Sequence, residues 1–309
     1  MKNVIPEEKK VRVIINTDAK NEADDQYAIV QAVLTPSFDL HGIIPAHFGD
    51  RKSKTSQQDS HDEVMLLLDI MNLKQKFRVE AGAKHELKDE KTPVESSGAN
   101  LIIEEALKKD DRPLHIAFLG PLTDMASAIL IEPEITEKNI RVIWIGGGAW
   151  PTGGGEYNLG NDIHGANVVF KSGLEIWQIP RNVYRMMPVS HAELIERVYP
   201  HGQLGQYLTE QLIEFNNSSP GRPAEYRVLG DSPAVGVIMY EDCGRWSLKP
   251  APTFDEKRNY VHNNSKNQIR VYETIDARFI MEDFYAKLSQ FNKGHYQNNI
   301  TIKNTPPTL

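Results

Sequence analysis

The chain has little cysteine and no long apolar run. Cys243 is the only cysteine among 309 residues, which excludes an intramolecular disulfide and a cysteine-based zinc cluster within one chain. No apolar run approaches the roughly 20 residues of a membrane span, and the segment from Met1 to Lys10 lacks the apolar stretch of a signal peptide. We therefore expect a protein of the reducing cytoplasm.

An excess of positive charge is also missing. The net charge is -7 at pH 7 and the isoelectric point is about 5.8, so the chain has no basic footprint for nucleic acid or for an anionic membrane. We expect neither as a partner. At 40% hydrophobic residues the chain can bury a proper core.

The sequence shows no internal repeat, no low-complexity tract and no linker long enough to separate domains. We predict a single domain over residues 1–309, with a core at about 11–290 and a peripheral tail at 291–309. Strand and helix patterns alternate along it, which predicts an open three-layer α/β/α fold with a mainly parallel, Rossmann-like sheet. The predicted strands are Val11 to Ile15, Leu40 to Ile44, Leu114 to Phe118, Ile140 to Ile145 and Glu175 to Ile179, and the helices between them are Gln26 to Leu34, Ser56 to Met71, Ala99 to Lys108, Leu122 to Leu130 and Asp162 to Phe170.

The C-terminal third is more helical. A loop rich in Asn, Ser, Pro and Gly, Asn216 to Pro223, is a candidate mobile rim. The remaining predicted elements are helices at Ala192 to Val198, Leu204 to Phe215, Asp231 to Met239 and Ala277 to Leu288, and a strand at Ile269 to Tyr272.

Three aspartates stand where the first predicted strand gives way to a helix. Asp18, Asp24 and Asp25 lie within eight residues of one another. In open α/β sheets, ligands bind beyond the carboxyl ends of the strands, so this turn is a natural wall of a site. The alternative is that Asp24 and Asp25 only stabilise the start of the helix, where negative charge is favourable.

Other polar clusters occupy similar places. Gly120 and Pro121 end a strand and leave the Leu119 carbonyl without an obvious ladder partner. A glycine-rich segment, Gly146 to Asn158, is followed by Asp162, and Gly230-Asp231 begins a later helix. The glycines do not form a phosphate-loop motif, and the neighbouring carboxylates would repel phosphate. A neutral polyol suits this segment better, and a sugar is the simplest such ligand.

The candidate ligands are carboxylates and one carbonyl, a hard-oxygen set. Calcium is therefore favoured over zinc, and magnesium, which demands tighter octahedral geometry, is the second choice. No pair of histidines has metalloprotease spacing. We predict surface or supporting roles, and no ligation, for His41, His47, His61 and His164.

Four motifs, in order, resemble those of the inosine-uridine-preferring nucleoside hydrolase family. They are Ile15-Asn-Thr-Asp18 with Asp24-Asp25, Gly120-Pro-Leu-Thr123, Glu156-Tyr-Asn158 with Asp162, and Asp231-Ser-Pro-Ala-Val235, and the resemblance spans about residues 11–290. It implies an open α/β fold of the nucleoside hydrolase type and a calcium ion at the carboxyl edge of the sheet. It also implies cleavage of the N-glycosidic bond of ribonucleosides and a homodimer or homotetramer.

The resemblance also implies a role for individual residues around the ion. Asp18 corresponds to the residue that ligates calcium and takes the proton from the attacking water. Asp25 and Asp231 correspond to further calcium ligands, and Leu119 to the residue whose backbone oxygen completes the set.

Further residues correspond to those that hold the sugar. Asp24 resembles an acceptor for a ribose hydroxyl, and Glu156 and Asn158 resemble the pair that grips the ribose. Asp162 follows at the spacing of a supporting residue, and Asp50 stands where the family often has asparagine.

The chain departs from the family pattern in two loops. The usual Asp-Pro-Gly-x-Asp-Asp motif is two residues shorter than the segment from Asp18 to Asp25, and the loop between Ala149 and Glu156 is shorter than usual. An asparagine that contacts the sugar in that loop has no counterpart here. Trp150 either lines the pocket in its place or is a structural aromatic.

Gly230 is the third departure, because many members carry there a histidine that protonates the leaving base. Loss of a general acid costs about 10² to 10⁴ in rate, unless Tyr226, Arg227 or stacking on Trp150 activates the base. Three functions stay open: a calcium-dependent N-ribohydrolase with Asp18 as base, a hydrolase of a different ribosyl or glycosidic compound, and a non-catalytic sugar-binding protein of the same fold. A phosphatase is weaker, since Lys20 is the only cation inside the motif clusters.

Overall fold

The computed structural model describes residues 5–295. Its strands, in chain order, are β1 (Val11–Thr17), β2 (Phe38–Pro45), β3 (Leu114–Phe118), β4 (Ile140–Ile145), β5 (Glu175–Ile179), β6 (Pro188–Ser190), β7 (Tyr226–Val228), β8 (Trp246–Pro250), β9 (Thr253–Phe254), β10 (Tyr260–Val261) and β11 (Gln268–Tyr272). Its helices are α1 (Asp25–Val33), α2 (Ser56–Ile70), α3 (Ser97–Leu107), α4 (Thr123–Ile131), α5 (Tyr157–Asn161), α6 (Ile163–Lys171), α7 (Arg181–Tyr184), α8 (His191–Arg197), α9 (Gly202–Asn217), α10 (Ser232–Met239) and α11 (Ala277–Asn292). Two 3₁₀ turns, Glu7–Lys9 and Pro133–Glu137, complete the set. None of these helices has the length and apolarity needed to cross a membrane.

Seven strands form the main sheet, in the order β2-β1-β3-β4-β5-β11-β8. All neighbouring pairs are parallel except β11 with β8, which is antiparallel at the edge. The predicted mainly parallel α/β fold is therefore confirmed. Because the strand order reverses between β1 and β3, the crevice beyond the carboxyl ends of these two strands is the expected ligand position.

Side chains alternate between two hydrophobic cores on the two faces of the sheet. On β1, Val13 and Ile15 join one core and Ile14 joins the other. On β4, Ile143 and Trp144 divide in the same way. Strands that are buried on both faces become continuous apolar runs in sequence, which explains why the central strands were predicted closely.

The first strand continues two residues beyond its predicted end at Ile15. Asn16 and Thr17 are polar but fully buried, and each donates a hydrogen bond to a buried aspartate. Asn16 Nδ2 donates to Asp124 Oδ2 at 2.8 Å, and Thr17 Oγ1 donates to Asp25 Oδ1 at 2.5 Å. The polar residues at this end of β1 therefore support the candidate site.

Two sequence predictions lie partly outside the described residues. The predicted absence of a signal peptide rests on Met1 to Lys10, of which residues 1–4 lie outside the described part, and the predicted peripheral tail includes residues 296–309, which also lie outside it. Within the part of the chain that the structure describes, α11 runs to Asn292. The single-domain assignment of residues 1–309 stays a prediction.

Candidate active site

The candidate site lies at the carboxyl edge of β1 and β3. Asp18 directly follows β1, and Leu119 directly follows β3. Leu119 N donates to Asn16 O at 2.9 Å, which holds the two strand ends side by side. Asp18 packs against Gly120: a Cβ added to this glycine would lie 2.9 Å from Asp18 Cγ. Only glycine therefore leaves room for the carboxylate at this point.

A small cavity of about 80 Å³ opens at this edge. It brings together most of the polar residues that the sequence predicted for the site. Its lining includes Asp18, Asp24, Asp25, Leu119, Glu156, Asn158 and Asp231, together with Asn21, Glu22, Ile145, Tyr157, Tyr184 and Gly230.

The long turn after β1 is held by its own hydrogen bonds. Asn21 donates from its backbone to Asp18 O at 2.8 Å and from its side chain to Asp18 Oδ2 at 3.0 Å. Gln26 Nε2 donates to Ala19 O at 2.8 Å and to Glu63 Oε1 at 2.9 Å. The two extra residues of this turn are therefore accommodated, and the next two aspartates still reach the cavity.

Asp24 occupies the N-cap position of α1 but makes no capping hydrogen bond with its side chain. Its Oδ2 instead accepts from Gly230 N at 2.9 Å. The alternative in which Asp24 only caps the helix therefore does not explain where its carboxylate lies. Asp25, in the first turn of the helix, also faces the cavity and accepts from Thr17.

Three carboxylates form a tight cluster that could hold a metal ion. One oxygen from each of Asp24, Asp25 and Asp231 lies within 4.8 Å of the other two, and all three residues are buried. Asp18 lines the same cavity but stands outside this set. The predicted ligands Asp25 and Asp231 are thus adjacent, and the third member of the set is Asp24, which was predicted to hold a sugar hydroxyl, and not Asp18.

Burial and mutual repulsion make these carboxyl groups hard to ionise. Burial, and then the charge of Asp25, raise the pKa of Asp18 and of Asp231 well above the ordinary range. Burial raises the pKa of Asp24 to about 8 and that of Asp25 to about 6, the latter opposed by the hydrogen bond from Thr17. A divalent cation would remove this cost by neutralising the cluster.

The donor set fits an oxygen-seeking cation. All of the clustered side chains are carboxylates, and the nearby Leu119 carbonyl is another oxygen donor. Calcium and magnesium prefer such ligands, whereas zinc prefers nitrogen and sulfur. The residues present therefore fit a metal ion of the hard-oxygen type.

Asn158 links the Leu119 carbonyl to the next strand. Its Nδ2 donates to Leu119 O at 2.7 Å and to Ile145 O at 2.8 Å. Leu119 O is therefore not without a partner, but a carbonyl oxygen has a second lone pair for another donor or a cation. These two hydrogen bonds fix the orientation of the Asn158 amide, and its Oδ1 takes part in neither of them.

Glu156 is held by four hydrogen bonds. It caps α5 by accepting from Asn158 N and Leu159 N, at 3.1 and 2.8 Å. It also accepts from Gly147 N at 2.9 Å and from Tyr184 Oη at 3.2 Å. This carboxylate lines the cavity in one fixed orientation.

Asp162 lies outside the cavity lining. It caps α6 through Gly165 N and accepts from Thr123 Oγ1 at 2.7 Å and Leu87 N at 3.1 Å. Thr123 Oγ1 in turn contacts His47 Nε2 at 2.8 Å. Asp162 and His47 thus support the loops around the site, and burial lowers the pKa of His47 to about 4, which keeps the ring neutral.

Two other predicted contacts also fall outside the lining. Asp50 is exposed on the loop after β2. Trp150 packs on Tyr260, with ring centroids 4.8 Å apart, and its Nε1 donates to Gln178 Oε1 at 2.9 Å. Of the two alternatives for Trp150, the structural aromatic agrees with these contacts.

Tyr184 is a lining residue that the sequence analysis missed. Its ring lies against Gly230, and its hydroxyl donates to Glu156. Burial, and then the charge of Glu156, raise the pKa of Tyr184. Tyr184 belongs to the segment that follows β5, so the rule that located Asp18 and Leu119 after their strands would have identified it.

A wider cleft of about 560 Å³ adjoins the small cavity. The two share Glu22, Asp24, Glu156, Tyr157, Tyr184 and Gly230. Pro223, from the loop predicted as a rim, also lines the cleft. Its volume lies within the range of small-molecule sites. A compound that reached into the small cavity would therefore extend into this cleft.

Over residues 13–282 the sequence matches the family described as inosine-uridine preferring nucleoside hydrolase. It is 31% identical over 125 residues to the probable uridine nucleosidase 2 of Arabidopsis thaliana, covering 39% of this chain and 38% of that protein. It is 28% identical over 161 residues to the pyrimidine-specific ribonucleoside hydrolase RihA of Salmonella paratyphi A, covering 50% of this chain and 49% of that protein. The alignments thus span about half or less of the length of these relatives.

The fold is similar to that of two solved structures. One is a purine-preferring ribonucleoside hydrolase from Gardnerella vaginalis, with a TM-score of 0.75, and the other is the plant nucleoside hydrolase PpNRh1, with a TM-score of 0.74. Each is 18% identical, and each match covers 91% of this chain and 99% of the other. At this identity the likeness establishes the fold alone.

Proposed function

The chain belongs to the inosine-uridine preferring nucleoside hydrolase family, and from this premise we propose that it hydrolyses the N-glycosidic bond of a ribonucleoside or a related N-riboside. One observation carries the proposal: four buried aspartates, Asp18, Asp24, Asp25 and Asp231, converge on one cavity at the β1/β3 edge. Such a cluster is costly unless it binds a cation or polar substrate groups.

The proposal includes a calcium ion as cofactor. Asp18, Asp25, Asp231 and the Leu119 carbonyl oxygen would hold it, and the oxygen atoms that these four residues offer at one cavity support the proposal. When bound, the ion would neutralise the carboxylates and lower the pKa of a water at the site.

In this proposal Asp18 accepts the proton of the attacking water. Asn21 Nδ2 holds one carboxylate oxygen of Asp18 at 3.0 Å and leaves the other free for that proton. Asp24 and the fixed pair of Glu156 and Asn158 contact the sugar, and this orients the anomeric carbon toward the water. The surrounding carboxylates stabilise positive charge on the ribosyl group as the base departs. Water displaces the base in one step, without a covalent sugar-enzyme intermediate.

The lack of a side chain that could protonate the leaving group distinguishes this chain within its family. Gly230 offers no side chain to protonate a departing base, and the hydroxyl of Tyr184 already donates to Glu156. Tyr226 and Arg227 line the outer cleft and are the remaining candidates to assist departure. This arrangement favours, as the second candidate function, hydrolysis of a riboside with a better leaving group than a standard purine or pyrimidine.

A panel of nucleosides and other N-ribosides tests the proposal. The protein is first loaded with calcium and its metal content is measured, and release of reducing sugar is then followed. We expect release from at least one N-riboside and loss of release after chelation. No release from any riboside, with calcium bound, would refute N-ribosyl hydrolysis, and calorimetric binding of ribose without turnover would then indicate a sugar-binding protein.

The proposal extends to a cytoplasmic location and to a homodimer or homotetramer. Both come from the sequence and from the family resemblance. Light scattering coupled to size-exclusion chromatography measures the assembly, and fractionation of cells that express the full chain measures the location.

A further inference from the structure

Four arginines line the outer cleft. They are Arg181, Arg185, Arg227 and Arg258. Three chain segments supply them: the segment from α7 onward, β7, and the turn before β10. None lies within the motifs that carry the family resemblance. Arg227 alone was a candidate from the sequence, and the common position of the four in one cleft was not predicted.

Among the residues that the structure describes, one of the four is paired with a carboxylate. Arg227 Nη2 donates to Glu22 Oε2, and its guanidinium lies over the ring of Phe215. Within residues 5–295, the other three have no carboxylate within 4.0 Å. The cleft lining also contains the carboxylates of Glu22, Asp24 and Glu156. Among the described residues only Glu22 pairs with one of these arginines, so Arg181, Arg185 and Arg258 remain available to a ligand.

Two of the unpaired arginines are positioned by backbone contacts. Arg181 Nη1 donates to Gly155 O at 3.0 Å, and Arg258 Nη1 contacts Glu156 O at 3.4 Å. A guanidinium has five N–H donors, so each keeps donors for a ligand. Arg185 is exposed and forms no side-chain hydrogen bond among the described residues.

These arginines form no ion pair with the aspartates of the small cavity among the described residues, although the charge of Arg227 opposes the rise that burial causes in the pKa of Asp24. The hydrogen bonds to three of these aspartates come from other groups: Asn21 for Asp18, Gly230 N for Asp24, and Thr17 for Asp25. The four arginines line the outer cleft and not the small cavity. Guanidinium groups recognise oxyanions such as phosphate and carboxylate through paired hydrogen bonds.

We propose that the outer cleft binds an oxyanionic group, phosphate or carboxylate, carried by a riboside whose sugar occupies the small cavity. This inference rests on the proposed N-ribosyl hydrolysis and narrows its substrate class. The anion has two possible sources: a phosphate on the sugar, or a carboxylate on the leaving group. Either one would lie in a volume of about 560 Å³, large enough for it and for the leaving group.

Kinetics with matched substrates test the assignment. We compare kcat/KM for a neutral nucleoside, for its 5′-monophosphate, and for a nucleoside with a carboxylate on its base. We expect one anionic substrate to exceed the neutral one by about 10-fold or more, as expected for a charge-assisted hydrogen bond. The preferred anion identifies its source. Its advantage should shrink as salt rises, because the arginines are partly exposed.

Charge-removing variants locate the anion. Arg185→Gln and Arg181→Gln should each lower the ratio of kcat/KM for the anionic substrate to that for the neutral one by about 10-fold. Arg278→Gln is the matched control, because Arg278 is exposed on α11 and does not line the cleft. A ratio that is unchanged in both cleft variants would overturn the inference.

A binding experiment separates this inference from the proposed function. Calorimetry of the calcium-loaded protein compares ribose 5-phosphate with ribose, and a carboxylated base with the unmodified base. Tighter binding of an anionic compound supports the cleft assignment even where no riboside is hydrolysed. Equal affinities together with equal kcat/KM values overturn the assignment, while hydrolysis of neutral nucleosides would leave the proposed function in place.

Discussion

The ring of Tyr184 lies against Gly230 and narrows the space that a side chain at position 230 would need. A Cβ built on Gly230 would lie 3.1 Å from Tyr184 Cδ2 and 3.3 Å from Asp24 Oδ2. The same glycine donates its backbone N–H to Asp24. The absence of a family-type histidine and the presence of this tyrosine are thus two parts of one local arrangement.

We therefore expect that a histidine introduced at position 230, without a second change, will not supply the missing general acid. Gly230→His forces Tyr184 and Asp24 apart, and we expect it to destabilise the protein by about 1–3 kcal/mol, as overpacking does, and to lower kcat. With Tyr184→Ala in the same chain, the histidine gains room to protonate a leaving base. The double variant should exceed Tyr184→Ala in kcat on a standard nucleoside by about 10²-fold. Thermal unfolding and steady-state kinetics measure both effects, and a single Gly230→His variant as stable as the parent would contradict the steric argument.

Asp18→Asn should abolish most of the turnover. The amide cannot accept the proton of the attacking water, and removal of a general base typically costs about 10² to 10⁴ in rate. The expected change is in kcat, measured on whichever riboside the parent protein hydrolyses. Asp62→Asn, an exposed change on α2, is the control and should keep parental kcat. Full activity in Asp18→Asn would remove Asp18 from the role of base.

Thr17→Val tests how much the hydrogen bond from Thr17 to the Asp25 carboxylate contributes to metal binding. The substitution keeps the buried shape of the β1 residue but removes the 2.5 Å hydrogen bond to Asp25 Oδ1. Loss of a group that orients a ligand typically weakens metal binding by about 10- to 100-fold. Calcium titration by calorimetry should show that decrease, and unchanged affinity would mean that Asp25 does not ligate the ion.

Removing divalent cations should make stability depend on pH between about pH 4 and pH 8. Burial raises the pKa of Asp25 to about 6 and that of Asp24 to about 8, whereas an unfolded aspartate has a pKa near 3.9. The folded state therefore keeps protons that the unfolded state has released. The stability linked to these protons is full below about pH 4 and is lost as pH rises through 6 and 8.

A bound cation takes the place of those protons, so calcium should raise the melting temperature more at pH 8 than at pH 5. Thermal unfolding with calcium and with chelator, at both pH values, measures this difference. Comparing the two states at one pH cancels the contributions of carboxylates far from the site. An equal calcium-induced shift at both pH values would show that the cluster does not couple to the ion.

The parallel strands were predictable because they are buried on both faces of the sheet and therefore form continuous apolar runs in the sequence. Predicted and observed bounds agree for β3, β4 and β5, and the predicted helices differ at their ends by one or two residues in most cases. The pairs β6–β7 and β9–β10 were not predicted, since strands of two or three residues carry no periodicity of their own. The antiparallel edge strand β8, with Leu248 61% exposed, lacks the apolar run of the central strands.

Some residues of the candidate site were likewise predictable from the sequence, and others were not. Asp18 and Leu119 follow their strands directly, so the topology of the sheet brings them together, and the sequence order reveals this. Arg227 and Arg258 meet Arg185 only through the tertiary path of the loops, which no local pattern encodes. For Trp150 the sequence left open a pocket residue or a structural aromatic, and its packing on Tyr260, outside the lining of the small cavity and of the cleft, agrees with the second.

The position of the bound cation tests directly whether the aspartate cluster is a metal site. A crystal of the full chain grown with calcium, with anomalous scattering data, would show where the ion binds. We predict one peak in the small cavity, at about 2.3–2.6 Å from oxygens of Asp25 and Asp231, with Asp18 and the Leu119 carbonyl completing the contacts. Density that places calcium elsewhere, or an ordered cavity without an ion at saturating calcium, would contradict this prediction.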